Sequence, residues 1–243
     1  MSAAMPGSMV NGLIEGLPGR ERHRLMALCK PVDLLPGRIL CECDERLTHA
    51  YFPLSGFISL VTVLGQRPPL EMGLIGSEGM LGATLSLGVP VVPARAVVQG
   101  GGYALRLSAA ALRRELHASP VLLQTLHRYE YVLMAQLLQN AACTHFHEIE
   151  PRLARWLLMT HDRAQGDEFH LTHGFLADML GVRRSGVTIA AGVLQAHKLI
   201  RYTRGTISVL DRQGLERTSC ECYAAMKGAH GKLFPTSEPS LPG

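Results

Sequence analysis

The residues best suited to chemistry are Arg183-Arg184-Ser185, and the chemistry is recognition rather than bond-making. A guanidinium presents paired N–H donors that match guanine O6 and N7, or a phosphate, in a geometry an ammonium cannot copy. From Arg183 to Arg217 seven basic residues (Arg183, Arg184, Lys198, Arg201, Arg204, Arg212 and Arg217) stand against two acids, Asp211 and Glu216. No acid falls between Asp178 and Asp211. The whole 243-residue chain carries a net charge of only +4, so the remainder is close to neutral. A basic patch in a near-neutral protein implies a polyanion met by one face. A solvated helix face is the ordinary reading of such a cluster, and the surrounding pattern decides against it.

That pattern is a helix, a tight turn and a second helix. Thr172 is placed to cap the first helix, whose apolar residues Phe175, Leu176, Met179 and Leu180 recur at helical spacing, and Gly181 stands at its expected stop. Val187, Ala190, Ala191, Val193 and Leu194 begin a second helical pattern that opens on the arginine pair. A helix-turn-helix directs the start of its second helix at base edges in the major groove. Two short strands around Arg204-Gly205 then form a hairpin, or wing, with Arg204 at its tip near a phosphate backbone. The expected DNA-contacting set is Thr172, His173, Arg183, Arg184, Ser185, Thr188 and Arg204. Arg184 reaches bases, and Arg183 and Arg204 reach phosphates.

Other constellations are weaker. The six cysteines are Cys29, Cys41, Cys43, Cys143, Cys220 and Cys222, four of them in two Cys-x-Cys pairs. That spacing disfavours a disulfide framework, and neither pair has the two-residue gap of a zinc knuckle. His145 and His147 with Cys143 could ligate a metal at a hinge, but a polar helix end is the plainer reading. No metal site is assigned, with redox sensing through one pair kept as a minor alternative. Phosphate-loop, nucleophile-elbow, zinc-protease and dinucleotide motifs are absent, so an enzyme is not expected.

The elements that position these residues fall into sections. Hydrophobic residues are 47% of the chain and charged residues 18%, which excludes general disorder. No apolar stretch approaches the roughly 20 residues of a membrane span, and no secretory signal is visible, so a cytoplasmic protein without membrane contact is expected. Residues 13–30 look helical, interrupted at Pro18-Gly19. From about 34 to 107, Gly or Pro interrupts short apolar runs, with candidate strands at Arg38–Cys41, Gly56–Leu64, Leu70–Ile75, Arg95–Val98 and Tyr103–Leu107. That texture suggests a closed or double-sheet β domain. Beyond Ser108 glycine disappears, and Pro120 sits where a helix could begin. Leu126, Glu130, Leu133, Leu137, Asn140, Thr144 and His147 then trace a heptad-like seam along a helix of roughly 28 residues, about 42 Å long. The seam predicts a homodimer helix through Leu126, Leu133, Leu137 and Asn140.

The run Leu171-Thr172-His173-Gly174-Phe175-Leu176-Ala177-Asp178-Met179-Leu180-Gly181-Val182-Arg183-Arg184-Ser185-Gly186-Val187, followed by Leu194, Leu199-Ile200 and Arg204-Gly205-Thr206-Ile207, resembles the Crp/Fnr family of bacterial transcription regulators. The resemblance covers about residues 20–223. It implies that Arg184 takes the base-reading position, with Ser185 next to it where members often carry Glu. Thr172 and His173 take the phosphate-contacting start of the first helix. Tyr51–Ser59 and Ile75–Gly82 read like strands of the family's cyclic-nucleotide-binding-like jelly roll. The nucleotide cassette departs from the pattern: Ala83 follows Gly82 where nucleotide binders have Glu, and Ala94-Arg95-Ala96 stands where they have Arg-Ser-Ala. The effector pocket is therefore assigned to Gly82, Ala83, Arg95 and Ala96, with no cofactor and no cyclic nucleotide expected. The early helix holds Cys29 alone, too few for the iron–sulfur cluster some relatives carry.

The expected class is α+β, with a β jelly roll, a long dimerisation helix and a winged helix-turn-helix. The expected divisions are a sensor domain at 1–117, the helix at 118–148, the DNA-binding domain at 149–223 and a disordered tail at 224–243. The expected function is sequence-specific transcription regulation by a homodimer on an inverted repeat of double-stranded DNA. An unknown small-molecule or redox effector controls it, and RNA polymerase is a partner by resemblance. The alternative is a sensing module acting through protein contacts.

Overall fold

The computed structural model describes residues 9–164 and 166–234. Two short helices, α1 (Gly12–Glu15) and α2 (Gly19–Leu28), replace the single interrupted helix expected there, with the break at Pro18. Seven strands follow: β1 (Lys30–Leu34), β2 (Ile39–Cys41), β3 (His49–Pro53), β4 (Phe57–Thr62), β5 (Leu70–Ile75), β6 (Arg95–Gly100) and β7 (Gly102–Ser108). They form two antiparallel sheets, ordered β1-β7-β3 and β2-β6-β4-β5. Phe52, Leu105 and Leu107 from the first sheet share a core with Ile58, Ile75 and Ala96 from the second. The β-roll and the α+β class are thus as the sequence implied. Strands β1 and β3 lay outside the strands picked from composition. Both are sheet edges, where Pro31 and Pro53 are tolerated because an outward N–H is not needed.

Helix α3 (Ala109–Ala118) leads into α4 (Pro120–Phe146). Ser119 caps α4 by accepting the Leu122 N–H, and Pro120 fills the first turn, where no amide donor is needed. One face of α4 is buried: Leu122, Leu126, Tyr129, Val132, Gln136, Asn140 and Cys143. It packs against the chain's own roll. Leu126 is fully buried in the roll's core. The Asn140 amide donates to Glu71 O (3.0 Å) and its carbonyl accepts from Arg155 (2.8 Å). The expected dimer seam is therefore corrected at Leu126 and Asn140, which face inward; Leu133 and Leu137 are only partly covered by their own chain. Heptad spacing reported that one face is buried but not what covers it.

The C-terminal unit comprises α5 (Ile149–His161), β8 (Glu168–His170), α6 (His173–Leu180), α7 (Arg184–Ala196), β9 (Ile200–Thr203), β10 (Thr206–Val209), α8 (Arg212–Thr218) and α9 (Cys222–Leu233). The three strands pair in the order β8-β10-β9. The tail expected to be disordered from 224 is, as far as residue 233, the helix α9, which runs back against α4. Its glycines, Gly228 and Gly231, concealed it. Buried Tyr223 and the partly buried Met226, Leu233 and Phe234 hold it to both cores. Residues 235–243 lie outside the described residues.

The two units share packing. Phe57, Val61 and Leu74 of the roll belong to the same core as Trp156, Leu176 and Ile207. At this junction the buried Glu71 carboxyl accepts from Ser59 Oγ and from Trp156 Nε1, each at 2.7 Å. Nearby, Arg163 forms an ion pair with Glu78 at 2.7 Å.

Candidate nucleic-acid interface

Thr172 starts α6 by accepting the Phe175 N–H on Oγ1 at 3.1 Å. The helix ends at Gly181, whose φ of 64° is the left-handed C-cap that glycine adopts without a Cβ clash. The chain re-enters a helix at once. Arg183 is the extended N-cap of α7, and its side chain caps nothing. The first amides of α7 are therefore left for an anion, at the positive end of the helix dipole.

Arg183, Arg184, Ser185 and Thr188 are all exposed. Thr188 does more than face solvent. Its hydroxyl donates to Arg184 O (3.0 Å), so it accepts from His173 Nδ1 at 2.9 Å. This fixes the proton of His173 on Nδ1 and ties α6 to α7. The His173 ring stacks on Tyr202 of β9, with centroids 4.2 Å apart, so the wing is attached to the same pair of helices. Burial, then the neighbouring Arg184 charge, holds His173 below the usual imidazole range.

The wing tip is Arg204-Gly205, with φ of 50° and 84°. Positive φ at both central residues is what a two-residue hairpin of type I′ requires. It projects an exposed Arg204 beyond β9 and β10. Among the described residues Arg183, Arg184, Arg201 and Arg204 take part in no ion pair, whereas Arg212 binds Asp162 and Glu216 and Arg217 binds Asp211. The basic patch thus divides into unneutralised cations on the α7 and wing surface and structural cations behind it. Sequence reading counted all of them alike. It also passed over Ile189, which is 70% exposed on the outer face of α7 one turn beyond Ser185. Helical spacing from Ser185 was the available signal.

The residues assigned to an effector pocket do not converge. Arg95 pairs with Glu42 at 2.6 Å on the outer surface of the roll. Ala96, the next residue along β6, is fully buried in the core. Gly82 and Ala83 begin the short 3-10 turn packed near Ala50. A cavity of about 530 Å³ lies elsewhere, between the roll, α4 and α9; it is lined by Glu78, Tyr129, Gln136, Arg163 and His230 among others, and by none of the four assigned residues.

Residues 151–218 match the family model of the Crp-like helix-turn-helix domain. Solved structures extend the likeness to both units. FixK2 from Bradyrhizobium japonicum aligns at a TM-score of 0.67 with 14% identity, covering 79% of this chain and 98% of that one. The c-di-GMP-responsive global regulator CLP of Xanthomonas campestris aligns at 0.62 with 17% identity, covering 79% and 99%. A transcriptional regulator of the Crp/Fnr family from Eubacterium rectale aligns at 0.61 with 17% identity, covering 85% and 96%. At these identities the likeness is one of fold: a β-roll followed by a Crp-like helix-turn-helix, as in Crp/Fnr regulators. No curated protein sequence matches the chain. Among the described residues no helix is long and apolar enough to cross a membrane.

Proposed function

We propose that the protein is a sequence-specific DNA-binding transcription regulator of the Crp/Fnr type, acting as a homodimer on an inverted-repeat operator. The observation that carries this reading is the set of unpaired arginines at the start of α7 and at the wing tip, within a Crp-like helix-turn-helix domain. Arg184 and Ser185 address base edges, Ile189 is placed for a thymine methyl group, and Arg183 and Arg204 address phosphates. The dimer contact is the outer face of α4, where Tyr131, Met134, Leu138 and Phe146 are exposed at 50–75% opposite the face buried on the roll. Two-fold pairing sets the recognition helices for half-sites about 34 Å apart. An effector in the cavity beside α4 and α9 would shift the population of domain arrangements toward the one that fits DNA. RNA polymerase contact follows from the family resemblance.

The test is selection of random duplexes by the purified full-length chain, followed by binding measurements across a salt series. The expected result is an enriched inverted repeat whose affinity falls steeply with salt, as release of counterions from several phosphates requires. Failure to enrich any sequence, or a salt-insensitive association, would contradict the reading.

A further inference from the structure

Four metal-binding side chains that are far apart in sequence meet at the far end of α4. Cys143 lies in its last turn and His147 four residues on, so the two project from one face. Cys220 and Cys222 flank Glu221 in the tight turn joining α8 to α9, and this turn presents both sulfurs to α4. The three Sγ atoms and one histidine nitrogen all lie within 4.8 Å of one another. Cys143 Sγ is 3.6 Å from Cys220 Sγ, and Cys222 Sγ is 3.4 Å from His147 Nδ1.

We infer that Cys143, His147, Cys220 and Cys222 form a tetrahedral site for a thiophilic divalent cation, zinc above all. Bond lengths of about 2.3 Å to sulfur and 2.0–2.1 Å to nitrogen give tetrahedral edges of about 3.8 Å between sulfurs and about 3.5 Å between sulfur and nitrogen. The two observed separations match those edges before any ion is placed. The cysteines are free here, the 3.6 Å separation exceeding the roughly 2.05 Å of a disulfide bond. All three cysteines are buried, and the His147 side chain is 22% exposed, so the ion would be enclosed as structural zinc is.

The surroundings are those of a metal centre. His147 Nε2 lies 3.1 Å from Glu221 Oε1, the carboxylate support that directs the other ring nitrogen at a metal. Gln139 Nε2 donates to Cys222 Sγ at 3.0 Å, a bond that favours thiolate over thiol. Binding one dication displaces three thiol protons to solvent and involves no change of oxidation state. The resulting centre carries one net negative charge. Two buried guanidiniums on α5, Arg152 and Arg155, stand ready to balance it. Arg152 donates to Leu180 O and Arg155 to Asn140 Oδ1, and among the described residues neither pairs with a carboxylate. Their charges act on Cys143. The ion would clasp the sensor-side helix α4 to α9, beyond the DNA-binding domain, and so fix the angle between the units.

The experiment measures zinc bound to the reduced full-length chain, then replaces it with cobalt. About one ion per chain and the visible absorption of tetrahedral thiolate-bound cobalt are expected. Cys143→Ser and Cys222→Ser should abolish both, while Cys29→Ser and Cys43→Ser retain them. Should the site variants fail to fold, alkylation of the native chain decides: bound zinc should shield Cys143, Cys220 and Cys222 but not exposed Cys43, and a chelator should lift the protection. Absence of any stoichiometric ion, a Cys143–Cys220 disulfide in freshly purified protein, or the absorption of a multi-iron cluster would each overturn the assignment.

Discussion

Arg184 opens α7 with no acid paired to it among the described residues, and that isolation sets its expected behaviour. Arg184→Ala should reduce the preference for the selected operator over scrambled duplex by ~1–3 kcal/mol, read from competition binding. Arg204→Ala should instead weaken all sequences alike and lower the slope of log affinity against log salt by about 1. At this scale the sequence was informative where local chemistry suffices: a capping Thr172, a left-handed Gly181 and an Arg-Gly turn are each decided within a few residues. It was uninformative where partners are remote. Nothing near Arg212 foretells that Asp162 holds it, and nothing near Cys143 foretells Cys220, 77 positions away.

The long helix shows what periodicity can and cannot say. Its start at Pro120 and its length were legible, because a cap, a proline and an unbroken pattern are local signals. Its partner was not, because α4 is apolar on two faces. The face through Leu126 closes the roll, and the face through Met134 and Leu138 is left uncovered by the described residues. Met134→Glu with Leu138→Glu should therefore give a folded monomer in sedimentation, with an unchanged circular dichroism spectrum. Leu126→Ala should act within the chain, costing about 2–5 kcal/mol and lowering Tm without changing the assembly. Likewise the edge strands β1 and β3 and the helix α9 escaped pattern reading. Proline and glycine mark loops only when tertiary packing does not overrule them.

For the molecule as a whole, the junction of the two units depends on one buried acid. Burial raises the Glu71 carboxyl to about 7, against the opposing influence of the Ser59 and Trp156 hydrogen bonds and the Arg155 and Arg163 charges. The folded chain therefore keeps a proton that the unfolded chain releases near its ordinary value of 4.5. The stability this proton provides is complete below that value and is lost as pH rises through about 7. Denaturant unfolding should show a decline on the order of 3 kcal/mol between pH 4.5 and 8 from this group. Glu71→Gln, with no proton to lose, should flatten it.

The same carboxyl is held by Trp156, and the chain has one tryptophan. Its indole sits where the roll meets the helix-turn-helix unit. Tryptophan fluorescence therefore comes from a single lamp mounted on the joint. A change of emission colour or intensity when a candidate signal molecule is added would register movement of that joint directly, with no dye, label or DNA in the cuvette.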